Sequence, residues 1–97
     1  MYLVHVWLCR AVDGAPPREL AREFRAAAAP DEGVEHAVVH HVSGRETVVG
    51  LFLRRESLAA AERAAAAVCA RVLIRHASWG FEAVSCEAVL MTPFPEP

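Results

Sequence analysis

Tyr2 to Cys9 is built from Tyr, Leu, Val, Trp and Cys with only His5 interrupting, and Arg10 and then Asp13-Gly14 close it. That composition, bounded by turn residues, predicts a strand starting almost at the first residue. Its alternate positions are Tyr2, Val4, Val6 and Leu8 on one side and Leu3, His5, Trp7 and Cys9 on the other. Neither set is polar, so the strand is expected to be covered on both faces.

The pattern then changes period. Pro16-Pro17 precedes Arg18 to Ala29, where Leu20, Phe24 and Ala27 or Ala28 recur at helical spacing and Arg18, Glu19, Arg22, Glu23 and Arg25 fall mostly outside. Pro30 and Gly33 stop that helix. Val34 to Val42 and Thr47 to Arg54 read as two further strands, with Ser43-Gly44 as a tight turn between them. Ser57 is placed to cap a second helix running to about His76, with Leu58, Ala61, Ala65, Val68, Cys69, Val72 and Leu73 on its inner stripe. Gly80 releases the chain into a last strand, Phe81 to about Leu90. Thr92-Pro-Phe-Pro-Glu-Pro cannot continue a ladder and is expected to be an extended tail. One α+β domain over residues 1–91, followed by a Pro-rich tail over 92–97, is the expected organisation.

Strand, helix, strand, strand, helix, strand is a split β-α-β arrangement repeated twice. The order predicts a four-stranded antiparallel sheet with two helices on one face. As an order of elements it resembles the ferredoxin-like fold and, among its users, the dimeric α+β-barrel proteins. No residue motif carries that resemblance, and this fold hosts many functions.

The second sheet face is the informative prediction. Helices cover one side only, yet the first and third strands are apolar on both. Trp7 and Phe52 are expected on the open side, and an exposed apolar face marks an interface or a ligand site. A face-to-face homodimer follows as the preferred expectation. Register decides which histidines join it. A two-residue Ser43-Gly44 turn pairs His40 with Thr47 and sets His41 beside Val48, Gly50, Phe52, His5 and Trp7. A slip of one residue exchanges His41 for His36 and His40. The candidate ligand-binding or interface residues are therefore His5, Trp7, His41 and Phe52.

Composition alters this picture little. The hydrophobic fraction, 55%, exceeds the usual 45–50%, but much of the excess is alanine, which buries little area. All ten basic residues are Arg, and Lys, Asn and Gln are absent, as a GC-rich bacterial genome would give. A net charge of −2 argues against nucleic acid as a partner. Cys9, Cys69 and Cys86 are odd in number and widely spaced, which suits free thiols in a reducing compartment. No signal or membrane segment is recognisable at the start, and a cytoplasmic protein is expected.

Catalytic and metal chemistry find little support. His36, His40 and His41 resemble a metal cluster, but on a strand residues four apart are about 13 Å apart and neighbours point to opposite faces, so neither a metal nor another cofactor is expected. Glu82 and Glu87 fall on opposite faces of a regular strand. Cys9 or Cys86 would need a nearby base or positive charge to act as a nucleophile, and Cys86 lies in a strand with apolar neighbours. No phosphate-cradling glycine motif occurs. An RNA-recognition domain would share the order of elements, but Val48 to Arg54 lacks its basic, aromatic signature. Amino-acid-binding regulatory domains of this topology would put ligand near Asp13-Gly14, but Asp-Gly is more often just a turn.

Two functions follow as expectations. The first is a small non-catalytic binding or accessory module, homodimeric through its sheet face, holding a peptide, a partner protein or a small metabolite. The alternative is a small dimeric α+β-barrel enzyme, of the cofactor-independent oxygenase or cyclase type, acting on an aromatic substrate with His5 or His41 as acid or base.

Overall fold

The computed structural model describes residues 1–89. The expected tail over 92–97 lies outside them. The elements are β1 (Tyr2–Cys9), α1 (Leu20–Ala27), β2 (Val34–His41), β3 (Glu46–Leu53), α2 (Leu58–Arg75) and β4 (Glu82–Val89), with 3-10 turns at Pro30–Glu32 and Ala77–Trp79. The sheet runs β2-β3-β1-β4 and every neighbouring pair is antiparallel. Element order and strand order together give the ferredoxin-like α+β fold.

The core forms where one face of the sheet meets the two helices. Val4, Val6 and Leu8 of β1 and Val49 and Leu51 of β3 are completely buried and lie side by side in register, Val6 opposite Val49 and Val4 opposite Leu51. Leu20 and Phe24 of α1 and Ala61, Ala65, Val68 and Val72 of α2 close over them, all fully buried. The alanines explain how a helix so poor in large side chains still seals a core: small residues let its backbone lie close to β1 and β4, the strands it packs on. Leu58, expected on the inner stripe, is the first residue of α2 and is exposed.

Helix α1 is shorter than its sequence pattern suggested. Ala28 and Ala29 are extended, because a residue before proline is pushed out of the helical region and Pro30 follows at once. Helix α2 starts as expected: the Ser57 hydroxyl accepts the Ala60 N–H at 3.1 Å and satisfies one of the helix's orphan donors.

Two clasps hold the helical layer. Glu32, almost buried, accepts both guanidinium nitrogens of Arg71 at 2.6 and 2.7 Å and the Ala29 N–H at 2.6 Å. Arg71 also donates to the Ala27 carbonyl at the end of α1. The Arg71 hydrogen bonds hold the Glu32 carboxyl below its ordinary pKa, since they stabilise the charged form. About one turn further on, at the C-cap of α2, His76 Nε2 lies 2.8 Å from Glu23 of α1 and the His76 ring stacks on Trp79 with centroids 4.0 Å apart.

Candidate functional surface

The open face of the sheet follows from the parity of its strands. Because β1 buries Val4, Val6 and Leu8, its intervening residues Leu3, His5, Trp7 and Cys9 must point away from the helices. All four are half-buried. Register carries the same face outward on both sides. One row runs His36, Phe52, Leu3, Val89. The next runs Val38, Gly50, His5, Glu87. The third runs His40, Val48, Trp7, Ser85. Leu3, Trp7, Phe52, Val38 and Val89, all half-buried, make this face apolar in its middle, while the exposed His36, His40 and Glu87 fringe it.

Gly50 shapes the centre. A Cβ there would lie 3.1 Å from Val38 Cγ2, 3.4 Å from Leu3 Cδ1 and 3.6 Å from His5 Cδ2. Three neighbours therefore lean over the position that has no side chain, and the face is low in relief where a ridge would otherwise stand.

Three of the four candidate residues, His5, Trp7 and Phe52, share this face. His41 does not. It pairs with Thr47, whose buried side chain looks toward the helices, so His41 sits on the helix side at the exposed end of β2. His36 and His40 take its place, and the His36 ring lies 6.0 Å from that of Phe52. The cause is the turn. Val42 N–H and Ser43 N–H both reach the Glu46 carbonyl, at 3.0 and 3.1 Å, which leaves Ser43, Gly44 and Arg45 as a three-residue loop. The Ser43 hydroxyl accepts the N–H groups of Arg45 and Glu46 at 3.4 and 3.2 Å and fixes that length. A serine opening the turn was the available signal, since its hydroxyl can replace a backbone acceptor.

The strand edges differ. At β4 the ladder slips between Trp7 and Leu8, leaving Val84 as an exposed bulge, and Glu62 of α2 reaches over to accept the Ala88 N–H at 2.8 Å. A bulge and a covering side chain both blunt an edge. This directs attention to the face rather than to strand addition at β4.

Other candidates are occupied by structural work. Asp13-Gly14 is docked on the β2–β3 loop: Gly14 N–H donates to the Gly44 carbonyl at 2.9 Å, and Asp13 lies 3.5 Å from Arg45. A cleft of about 310 Å³ opens nearby, lined by Cys9, Arg10, Arg45 and Glu82 among others. Its guanidinium groups are engaged, Arg45 with Asp13 and Arg10 with the Gly14 and Ala15 carbonyls and the face of Phe81. Burial pushes the thiols of Cys69 and Cys86 up to about 11, which keeps both protonated and poor as nucleophiles. Among the described residues, no three His, Cys, Asp or Glu side chains are placed to hold one metal ion, and no helix is long and apolar enough to cross a membrane.

The class of molecule defined by these features is a ferredoxin-like domain with one helix-covered sheet face and one apolar, half-buried face that no described helix covers. No protein-family model, curated protein or solved structure matches the chain, so its functional reading rests on that geometry.

Proposed function

We propose that the protein is a small non-catalytic binding or accessory module that acts as a homodimer through its open sheet face. In this reading the assembled dimer holds a peptide, a partner protein or a small metabolite. The observation that carries the reading is the apolar sheet face of Leu3, Trp7, Val38 and Phe52, half-buried and covered by no described helix, since contiguous apolar surface of this kind marks an interaction site. Two further features support it. The space between helices and sheet is taken up by Leu20, Phe24, Val68 and Val72 rather than by polar groups converging on a substrate. The three cysteines are free, which suits a reducing, cytoplasmic setting.

The test is solution mass by light scattering, for wild type and Trp7→Asp. A carboxylate in a dry interface costs several kcal/mol, while on an uncovered face it stays hydrated. A dimeric wild type and a folded, monomeric variant support the proposal. A wild type that is monomeric at about 100 μM, where even a weak specific dimer is populated, refutes it.

A further inference from the structure

Resting on that reading, we infer that the two copies are related by a two-fold axis parallel to β1, so that the histidine-bearing β2 column of each copy lies across the Glu87-bearing β4 column of the other. Two sheets packed face to face about a two-fold axis keep their strands roughly aligned in two ways. An axis along the strands exchanges the two edges of the sheet, so β2 faces β4 of the second copy and β3 faces β1. An axis across the strands sets every strand against itself.

The chemistry of the columns separates the two. On the open side β2 presents His36, Val38 and His40, and β4 presents Val89, Glu87, Ser85 and, beyond the bulge, Glu82 opposite Cys9. Imidazoles carry an N–H donor in either protonation state, and a carboxylate only accepts. Exchange of edges gives each Glu87 a donor-bearing column to face, with His36 and His40 one step to either side of the opposing Val38. The self-facing arrangement brings carboxylate column against carboxylate column and imidazole against imidazole, and like charges so placed select against an arrangement. The middle of the face also suits exchange: β1 brings its large Trp7 toward β3, whose open side holds Val48, Gly50 and Phe52, with Glu46 at its end opposite Cys9.

The area is sufficient. Four eight-residue strands at about 4.8 Å spacing and 3.3 Å per residue span roughly 19 by 26 Å, a footprint of about 500 Å². Two such footprints reach the roughly 1,000 Å² at which a specific interface becomes credible, with the low relief around Gly50 favouring close contact.

The experiment is charge exchange within one chain, read as the dimer dissociation constant by sedimentation equilibrium. His36→Glu/His40→Glu and Glu87→Arg should each weaken the dimer roughly tenfold, the sum of several modest ion-pair terms. The triple variant should return to within about threefold of wild type, because both columns have changed sign together. All three positions are exposed, and circular dichroism confirms that each variant folds. A triple variant weaker than either parent overturns the axis, as does a Glu87→Arg dimer tighter than wild type. In both of those cases the homodimer itself stands. A monomeric wild type overturns the homodimer as well.

Discussion

Gly33 and Gly80 form a natural pair of controls within one chain. Each ends a 3-10 turn in the left-handed region, Gly33 at φ 75° and ψ 22° and Gly80 at φ 74° and ψ 19°. Their backbone strain on substitution is therefore the same. Their surroundings are not. A Cβ on Gly80 would meet nothing within 4 Å, whereas one on Gly33 would run into the Arg54 carbonyl oxygen. Gly80→Ala should cost about 1 kcal/mol, the left-handed penalty of roughly 1–2 kcal/mol less the entropy that Ala removes from the unfolded chain. Gly33→Ala carries that cost and two more. The clash displaces backbone rather than a flexible side chain, at about 1–3 kcal/mol. It also disturbs the bond from Arg54 N–H to the Gly33 carbonyl, 2.8 Å long, worth about 1 kcal/mol. The expected loss is about 3–5 kcal/mol, or roughly 12–40 °C in Tm against roughly 4–8 °C for Gly80→Ala. Urea unfolding followed by far-UV circular dichroism measures both, at one protein concentration because self-association makes stability concentration-dependent. Losses equal to within about 0.5 kcal/mol, the usual spread between independent sites, would refute the steric argument.

Two further outcomes follow from the titrating groups. Because the Arg71 hydrogen bonds lower the Glu32 pKa from its ordinary 4.5, the stability they add is fully present above that value and is lost as pH falls through the lower folded-state value. Urea midpoints of wild type should drop on acidification through this window more steeply than those of Glu32→Gln, and parallel curves would contradict the assignment. Cys69 and Cys86, with thiols pushed up to about 11 by burial, should resist alkylation at about pH 8 until the chain is unfolded. Mass spectrometry of protein treated with iodoacetamide, with and without urea, checks this, and rapid native labelling of either residue would count against the burial.

Much of the architecture was legible because it depends on local periodicity. Tyr2–Cys9 forms a strand as its composition implied, though with one face buried and the other half-buried where both were expected to be covered, Ser57 caps α2, and Pro30 ends the α1 region, each through groups within a few residues of one another. Even the doubly apolar character of β1, and with it the open face bearing His5, Trp7 and Phe52, was readable without coordinates. The identity of the histidines beside them was not. Parity in a strand has a period of two, so the one residue by which the Ser43–Arg45 loop exceeds a two-residue turn moved His41 to the helix side and brought His36 and His40 to the open one. Nor did any spacing announce that Glu32 would meet Arg71 across 39 positions, or that Gly50 would lie beneath Val38, Leu3 and His5. Order of elements and the apolar faces come from short-range pattern, which a chain carries in its sequence. Register and partners across the fold come from how the elements pack, and only the tertiary structure decides them.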